Sequence, residues 1–410
     1  MQTSLAEFIR DTPEGREADS ILRKCVHCGF CTATCPTYQL LGDELDGPRG
    51  RIYLIKQALE GAPVTDKTRL HLDRCLTCRA CETTCPSGVR FGRLADIGRN
   101  FVEQRTARGA WDRAKRAALA FVLPRTTLFK ALLRTGQALR SLLPARLREA
   151  VPPPARGAGN WPAPRHARRM LVLAGCVQPA LAPSINASAA RVLDRLGVSL
   201  IEAPGAGCCG AVRFHLNRQQ DGLDDMRALI DIWWPLVAKD EVEAIVMTAS
   251  GCGVTVKEYG HLLAQDAAYA DKAARISALT RDLGEVIAGH AAALERRLAK
   301  PAARGRVAVH SPCTLQHGQS LNGVVEGVLA RAGYELAPVP DAHLCCGSAG
   351  TYSILQPELS RELRSRKLAA LHSGLPGIVA SANIGCLAHL QAGTETPVRH
   401  WIELLEEALD

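Results

Sequence analysis

One cysteine pattern occurs twice in the chain, as CVHCGFCTATCP at residues 25–36 and as CLTCRACETTCP at residues 75–86. Every cysteine of the second copy lies 50 residues after its counterpart in the first. Gaps of two residues allow a tight turn to bring three sulfurs around one face of a metal cluster. Pro36 and Pro86 lack an N–H and are expected to stop the local helix after the fourth cysteine. The spacing is typical of domains that bind two 4Fe–4S clusters.

The fourth cysteine of each copy is expected to reach the cluster of the other copy, as in bacterial-type ferredoxins. We therefore predict one cluster on Cys25, Cys28, Cys31 and Cys85, and a second cluster on Cys75, Cys78, Cys81 and Cys35. Zinc fits less well, because it usually takes Cys-x-x-Cys pairs that are separated by a long gap. Disulfides would require an oxidising compartment, which no feature of the sequence indicates.

The composition is that of an ordinary soluble chain. Its 410 residues, of which 47% are hydrophobic, are enough for two or three domains with their own cores. Residues 1–19 are polar and acidic, unlike a signal peptide, and no apolar run approaches the roughly 18 residues of a membrane span. Sixteen cysteines without a secretion signal favour a cytoplasmic protein whose thiols bind metal. Aromatic residues make up only 4% of the chain, so nucleic acid is not an expected partner.

Positive charge is concentrated in one segment. The net charge is +9, and residues 99–169 contain 16 Lys or Arg against three acids. Residues 101–150 show the pattern of two amphipathic helices broken at Pro124, and residues 151–164 form a Pro- and Gly-rich linker. One face of the second helix is predicted to carry Leu128, Leu132, Leu139 and Leu142. This basic arm either braces its neighbours or docks on an acidic partner protein or an anionic membrane.

Strands alternate with helices after Arg168. Short apolar runs predict strands at residues 170–175, 244–248, 307–310 and 378–380, and residues 186–196 show the pattern of a helix. Such alternation is typical of α/β layers built on a mostly parallel sheet.

This half of the chain contains a second cysteine repeat. Its first copy is Cys176, Cys208, Cys209 and Cys252, and its second copy is Cys313, Cys345, Cys346 and Cys386. In both copies 31 residues separate the first cysteine from a Cys-Cys-Gly sequence. The first and last cysteines of each copy follow predicted strands, whose ends meet at one edge of a parallel sheet. Four thiols that converge at one edge, in two matched copies, predict a metal or redox site in each.

These patterns predict an α+β multidomain protein of four parts. An α-helical ferredoxin with two 4Fe–4S motifs spans residues 1–100, and the basic helical arm with its linker spans residues 101–165. Two tandem α/β cysteine-rich modules follow at residues 166–300 and 301–410.

A two-cluster helical ferredoxin followed by two Cys…Cys-Cys-Gly…Cys modules resembles the CCG-domain iron–sulfur proteins. That family includes subunits of glycolate oxidase, of anaerobic glycerol-3-phosphate dehydrogenase, of lactate-utilisation systems and of heterodisulfide reductase. The resemblance is greatest to glycolate oxidase iron–sulfur subunits and extends over nearly the whole chain. It is carried by residues 25–35, 42–53, 249–253, 343–352 and 382–386.

The resemblance implies an electron-transfer subunit of an oxidoreductase complex, without a catalytic residue of its own. FAD-binding glycolate oxidase subunits would oxidise glycolate, and also D-lactate, to the 2-oxo acid, which is glyoxylate for glycolate. This chain would pass the electrons toward the respiratory quinone pool, in the cytoplasm or at the cytoplasmic face of the inner membrane. The sequence shows no flavin-binding fingerprint, in agreement with that division of labour. The alternatives are a subunit of a related D-lactate or glycerol-3-phosphate dehydrogenase, and a catalytic subunit similar to that of heterodisulfide reductase.

One departure from the heterodisulfide reductase branch concerns the number of cysteines in each module. In that branch each module ends in Cys-x-x-Cys, which gives five cysteines and a non-cubane cluster, whereas Ala249 and Asn383 stand at the corresponding positions here. A four-thiolate cluster, another metal and reduced structural thiols therefore stay open for each module. The nearby histidines are His310, His317, His343 and His389, of which His389 follows Cys386 at Cys-x-x-His spacing. His389 is thus a candidate metal ligand, or a candidate hydrogen-bond donor to a metal ligand. A single histidine at such a position more often forms a hydrogen bond to the backbone.

Overall fold

The computed structural model describes residues 1–142, 144, 148, 151–298 and 304–409. Helices build the described chain up to Leu142, and two four-stranded parallel sheets with surrounding helices build it from Arg169 onward. The predicted α+β multidomain architecture is therefore confirmed. The boundary predicted between residues 300 and 301 lies outside the described residues, and the other boundaries stay predictions.

Three long helices form the N-terminal bundle: Pro13–Lys24, Pro48–Leu59 and Phe91–Glu103. The second of these helices begins at Pro48, because proline at the first helical position has a preset φ and lacks an N–H that would go unpaired. Gly98 lets the second and third helices approach closely, since a Cβ there would stand 2.5 Å from Cγ1 of Ile55. The shorter helices of this part are Glu7–Arg10, Phe30–Ala33, Pro36–Leu41, Asp66–Asp73 and Ala80–Thr83.

The role expected of Pro36 is wrong. The short helix of the first repeat, Phe30–Ala33, already ends before Cys35, and Pro36 is the first residue of the next helix, Pro36–Leu41. A proline fits this first position for the same reason as at Pro48.

A buried ionic cluster joins the two cysteine repeats. Asp46 is fully buried, and its carboxylate contacts Nη2 of Arg51 at 3.4 Å, Nδ1 of His71 at 3.1 Å and Nη1 of Arg74 at 2.8 Å. Arg51, also buried, donates to the carbonyl oxygen of His71 at 2.7 Å and to Oγ1 of Thr37 at 3.1 Å. Thr37 stands two residues after Cys35 and Arg74 one residue before Cys75, so the cluster fixes one repeat against the other.

The basic arm consists of the helices Ala110–Val122 and Thr126–Ala138, with the expected break at Pro124. The second helix ends at Ala138 and is followed by a single 3₁₀ turn, Arg140–Leu142. The prediction that Leu139 and Leu142 lie on the face of that helix is therefore wrong. The arm leaves large apolar side chains exposed, namely Trp111, Phe121, Leu132, Leu139 and Leu142.

Arg108 anchors the beginning of this arm to the ferredoxin part. Its guanidinium donates to both carboxylate oxygens of Asp73, at 2.7 and 3.0 Å, and its Nε donates to Glu103 at 2.8 Å. Among the described residues, none of the helices combines the length and the apolar character needed to cross a membrane.

Two small parallel sheets with the same strand order form the C-terminal half. The first contains β1 (Arg169–Val172), β2 (Ser199–Glu202), β3 (Ala244–Met247) and β4 (Thr280–Asp282), in the order β2-β1-β3-β4. The second contains β5 (Arg306–His310), β6 (Glu335–Leu336), β7 (Ile378–Ser381) and β8 (Val398–His400), in the order β6-β5-β7-β8. Neighbouring strands are parallel throughout, with Leu171 opposite Ile245 in the first sheet and Ala308 opposite Val379 in the second.

The four predicted strands are the two central strands of each sheet, β1 and β3 in the first and β5 and β7 in the second. Central parallel strands are covered on both faces and read as continuous apolar runs. The outer strands β2, β4, β6 and β8 were not predicted, because they are short and carry polar residues such as Glu202, Arg281 and Glu335. The helix expected at residues 186–196 is Ser184–Arg195.

Helices surround both sheets. In the first module they are Gln178–Leu181, Ser184–Arg195, Ala211–His215, Gln219–Val237, Ser250–Lys257, Tyr259–Leu262, Ala270–Leu279, Leu283–Gly289 and Ala291–Glu295. In the second they are Cys313–Gln316, Val324–Arg331, Tyr352–Leu355, Pro357–His372, Ile384–Gln391 and Trp401–Glu406. The two modules pack on each other, with the core side chains Ile185 and Trp401 in one continuous cluster.

The ferredoxin part contacts both modules through specific hydrogen bonds. Arg79 forms a bidentate ion pair with Glu258 of the first module, at 2.5 and 2.9 Å. The hydroxyl of Tyr352, in the second module, donates to the carbonyl oxygen of Arg74 at 3.2 Å. These contacts hold the second cysteine repeat against both modules.

We predict that Asp46→Asn lowers the stability of the N-terminal part by about 3–5 kcal/mol, because it leaves the buried Arg51 guanidinium without its anion. The measurement is a urea titration of anaerobically purified protein, followed by circular dichroism and visible absorption. Asp66→Asn is the matched control, since Asp66 pairs with Arg69 at an exposed site and such pairs are worth about 0–1 kcal/mol. Equal midpoints for the two variants would contradict the structural role of the cluster.

Candidate metal centres

The first thiol set is Cys25, Cys28, Cys31 and Cys85, the residues predicted for the first cluster. All four border one cavity between the two repeats. Apolar side chains, among them Ile52, Val89 and Phe91, form much of its wall. Cys28 is exposed, so this cavity lies at the surface of the molecule.

The second thiol set is Cys35, Cys75, Cys78 and Cys81, the residues predicted for the second cluster. All four border an adjacent cavity. Cys81 borders both cavities, so the two thiol sets are neighbours. Cys35, Cys75 and Cys81 are buried, which distinguishes this cavity from the more open first one.

The loops of the two repeats share one unusual backbone conformation. The third and fifth residues of each loop have positive φ: 57° at His27 and 87° at Gly29, 54° at Thr77 and 62° at Arg79. Left-handed conformations turn the chain sharply, and only glycine adopts them without strain. The fifth position is thus relaxed in the first repeat and strained in the second, where the ion pair with Glu258 holds Arg79.

Buried cationic and thiol groups meet at the second thiol set. Arg99 is buried and donates to Oγ1 of Thr77 at 2.8 Å and to the carbonyl oxygen of Leu72 at 2.9 Å. Burial raises the pKa of the Cys81 thiol well above its ordinary value. Because metal ligation requires the thiolate, the positive charge of a metal bound here would have to stabilise the ionised form.

The third thiol set is Cys176, Cys208, Cys209 and Cys252, in the first module. The Cys208 thiol lies within hydrogen-bonding reach of Cys176 and of Cys209, and Cys209 lies within reach of Cys252. These hydrogen bonds from Cys176 and Cys209 lower the pKa of Cys208 below that of an ordinary thiol. The structure thus brings all four predicted residues together at the carboxyl ends of β1 and β3.

The fourth thiol set is Cys313, Cys345, Cys346 and Cys386, in the second module. The sulfurs of Cys313 and Cys345 are 3.9 Å apart, and Cys346 lies within hydrogen-bonding reach of Cys345 and of Cys386. The contacts therefore follow the same chain of four thiols as in the third set. Asn383, at the position of the additional cysteine in heterodisulfide reductases, directs Nδ2 at the Cys386 sulfur from 3.5 Å.

The glycine of each Cys-Cys-Gly sequence is required by the backbone. Gly210 and Gly347 have φ values of +83° and +89°, and a Cβ would stand 2.5 Å from the oxygen of Gly222 and 2.6 Å from that of Ser360. Each glycine N–H also points at the first sulfur of its pair, at 3.4 Å to Cys208 and 3.5 Å to Cys345. The motif therefore provides a sharp turn and one backbone donor to sulfur.

The second and fourth thiol sets adjoin each other across the boundary between ferredoxin and second module. Leu76, Cys345, Tyr352 and Leu363 form one small core cluster, against which Cys78 and Cys313 pack. The first, second and fourth sets therefore form a continuous series. The third set lies beyond the contact between the modules, where Oγ of Ser250 and Oγ1 of Thr314 are 2.7 Å apart.

The histidines noted in the sequence have different surroundings. Nε2 of His389 lies 3.3 Å from Oγ of Ser360, and His317 contacts Thr83 and the His343 carbonyl oxygen at 3.0 and 2.9 Å. His310 instead lies beside Cys346 and Cys386, with one atom of each residue within 4.8 Å of the other two. The sequence signal that distinguishes His310 is its place three residues before Cys313, where the first module has Leu173 before Cys176.

The donor chemistry of these sites fits iron–sulfur clusters. All sixteen cysteines are free and fall into four sets of four, and thiolate sulfur is the ligand that iron–sulfur clusters and zinc prefer.

Comparison with protein families defines the class of this chain. Residues 21–89 match the model of the 4Fe-4S dicluster domain, and residues 170–257 and 307–391 match that of the Cysteine-rich domain. The chain is therefore an iron–sulfur protein with a dicluster domain and two cysteine-rich domains.

Similar proteins narrow this class to a family. The chain is 57% identical to the glycolate oxidase iron-sulfur subunit of Escherichia coli, over 100% of both chains. It is 28% identical to the probable glycolate oxidase iron-sulfur subunit of Bacillus subtilis, over 91% of this chain and 89% of that one. Lactate utilization protein A of Bacillus licheniformis is 25% identical over 52% of this chain and 87% of its own. The chain belongs to the family of glycolate oxidase iron–sulfur subunits.

We predict that Gly210→Ala and Gly347→Ala each destabilise their module by at least about 1–2 kcal/mol, because alanine is strained at positive φ and its Cβ meets a carbonyl oxygen. Gly327→Ala is the control: Gly327 lies inside the helix Val324–Arg331 with nothing near its Cβ position, so alanine should stabilise by about 0.5–1 kcal/mol. Thermal unfolding of the three variants checks the opposite signs. Unchanged unfolding of both motif variants would show that the turn tolerates a side chain.

Proposed function

We propose that the chain is the iron–sulfur subunit of a glycolate-oxidising enzyme, which carries electrons from FAD-binding partner subunits toward the quinone pool. The observation that carries this proposal is the full-length similarity to the Escherichia coli subunit. The four thiol sets support it, because they supply redox ligands throughout the molecule rather than at a single active site. Oxidation of glycolate, or of D-lactate, then takes place on the partner subunits.

The first and second thiol sets are the proposed ligands of two 4Fe–4S clusters. Support comes from the two adjacent cavities, each bordered by three cysteines of one repeat and the fourth cysteine of the other. When bound, such clusters accept and release single electrons at potentials set by their surroundings. The chain's own residues hold the sulfurs in place through the left-handed loop positions, and Ile52, Val89 and Phe91 limit the access of water.

The third and fourth thiol sets are the proposed ligands of further metal or iron–sulfur centres. The fourth set is the better supported, because it adjoins the second set through Cys78, Cys313 and Cys345. Direct reduction of a disulfide at this site is the less favoured alternative. Asn383 stands where the catalytic relatives are expected to have a fifth cysteine, and its amide donates to the Cys386 sulfur instead.

We predict that glycolate does not reduce the purified chain by itself and does reduce it once the FAD-binding subunits are added. The reason is that the described cavities offer sulfur ligands and no flavin site. The measurement is anaerobic bleaching of the visible iron–sulfur absorption after addition of glycolate, with dithionite as the positive control for reducibility.

A second control separates catalysis from electron acceptance. The FAD-binding subunits alone should still oxidise glycolate with an artificial dye, while Cys28→Ser combined with Cys78→Ser in this chain should abolish its own bleaching. Reduction of the isolated chain by glycolate would contradict the proposed division of labour. Failure of the complete mixture to bleach would exclude the proposed electron transfer.

For the basic arm we propose a docking role at an anionic membrane surface, on the cytoplasmic side. Trp111, Phe121 and Leu132 are exposed apolar side chains, and exposed Arg113 and Lys130 lie on the same two helices. Interfacial helices combine apolar residues with Lys and Arg in this way. Arg125 covers the Phe121 ring at 3.9 Å, so charge and aromatic surface occur together.

We predict that the protein co-sediments with phosphatidylglycerol vesicles and not with phosphatidylcholine vesicles, and that Trp111→Ser with Leu132→Ser weakens this binding at least several-fold. Leu375→Ser is the control, because Leu375 is an equally exposed apolar residue outside the arm. If the double variant binds vesicles normally but loses the FAD-binding subunits, the arm is a partner-docking surface instead.

A further inference from the structure

His310 is a buried histidine whose side chain has no hydrogen-bond partner. It is the last residue of β5 and is only 2% exposed. Neither Nδ1 nor Nε2 finds a donor or acceptor among the described residues. A buried polar group left without a hydrogen-bond partner destabilises the folded state, so its presence calls for a physical explanation.

The other fully buried histidine of the second module has hydrogen-bond partners for its ring nitrogens. His400 lies 2.9 Å through Nε2 from the Thr248 carbonyl oxygen, and its Nδ1 accepts from the N–H of Ile402 at 3.2 Å. Both of its ring nitrogens are therefore used by the fold. His310 differs because neither of its ring nitrogens has a hydrogen-bond partner, and the sulfurs of Cys346 and Cys386 lie beside its ring.

Those sulfurs belong to the fourth thiol set. A ring nitrogen of His310 and the sulfurs of Cys346 and Cys386 all lie within 4.8 Å of one another. Cys346 continues to Cys345, and Cys345 to Cys313 at 3.9 Å. The site thus presents five ligand atoms, one nitrogen and four sulfurs, whereas a structural zinc ion takes four.

The first module has no counterpart of this imidazole. The position equivalent to His310, three residues before the first cysteine of the set, is Leu173, which directly follows the central strand β1. Leu173 is buried in the apolar core of its own module. The two cysteine-rich modules have the same fold and the same four thiols, but only the second adds a nitrogen donor.

We propose that His310 is a nitrogen ligand of an iron–sulfur cluster held by Cys313, Cys345, Cys346 and Cys386. This inference rests on the proposed function in one respect, since it presumes a metal centre in the second module. A neutral imidazole adds no negative charge to the cluster, unlike a fifth thiolate, and nitrogen ligation raises the reduction potential of iron–sulfur centres. The second module therefore holds a five-ligand centre that is distinct in potential from any four-thiolate site in the first.

The experiment is pulsed EPR on the full chain, purified anaerobically after labelling with ¹⁵N-histidine and partly reduced. His27 borders the cavity of the first thiol set, so a strongly coupled ¹⁵N signal is assigned to His310 by its loss in the His310 variant. We expect this coupling in the wild-type protein, its complete loss in His310→Leu, and its retention in His389→Gln. The leucine variant copies the residue at the equivalent position of the first module, and His389 is a neighbouring histidine that bonds to Ser360.

His310→Cys serves as the second variant. It restores a fifth ligand, so the iron content should return to the wild-type value while the ¹⁵N coupling stays absent and the potential of that centre falls. Iron and zinc per chain are measured on all four proteins. These readouts do not depend on glycolate oxidation or on partner subunits.

The outcomes separate this inference from the proposed function. About eight irons per chain is the content of two 4Fe–4S clusters. This result would exclude an iron–sulfur centre in the second module, and with it the present inference. It would not contradict electron transfer by the ferredoxin part. An iron content above eight per chain without ¹⁵N coupling, or a spectrum that is unchanged in His310→Leu, would contradict only the assignment of His310 as a ligand. Zinc in place of iron at the second module would overturn the proposed cluster.

Discussion

The buried contact between Asp46 and Arg51 sets the geometry on which the ferredoxin part depends. In the proposed ligand sets each repeat contributes its fourth cysteine to the other, so the two loops can bind clusters only if their relative position is fixed. Asp46 and Arg51 achieve this through His71, Arg74 and Thr37, which lie beside the cysteine loops. Apolar packing is tolerant of small shifts, whereas a buried charged network is stable only when every hydrogen bond is satisfied. The N-terminal part therefore combines an apolar helix bundle with a polar core that specifies register.

The sequence predicts the features that repeat or that are apolar on both faces. Cysteine spacing identified all four thiol sets as groups, and continuous apolar runs located the central strands β1, β3, β5 and β7. The outer strands were missed because one side of each is unpaired and their residues are partly polar, as at Arg281. No sequence pattern identifies Arg79, and His310 is distinguished from the other nearby histidines only by its place three residues before Cys313. Their importance arises from contacts with residues far along the chain, Glu258 and Cys386, which no local pattern records.

Both duplications in this chain have diverged at one informative position. Gly29 of the first repeat corresponds to Arg79 of the second, which adopts a left-handed conformation that costs an ordinary residue about 1–2 kcal/mol. The bidentate pair with Glu258 stabilises that conformation and at the same time joins the ferredoxin to the first module. In the cysteine-rich modules, Leu173 and His310 differ in the same way. In each pair, one copy has a residue that fits the local fold, and the other copy has a residue whose side chain lies beside residues far along the chain.

The unequal burial of the first two thiol sets has a consequence for how the protein matures. Cys28 is exposed and its cavity opens at the surface, so a scaffold protein that delivers iron and sulfide can reach the first set in the folded chain. The second set lies beneath Leu76, Tyr352 and Cys345, where the second module covers it. Contact with the second module limits access to the second set from that side, so the packing favours filling this set before the ferredoxin closes onto that module. In the closed molecule the exposed Cys28 makes the first set the more accessible of the two to molecular oxygen.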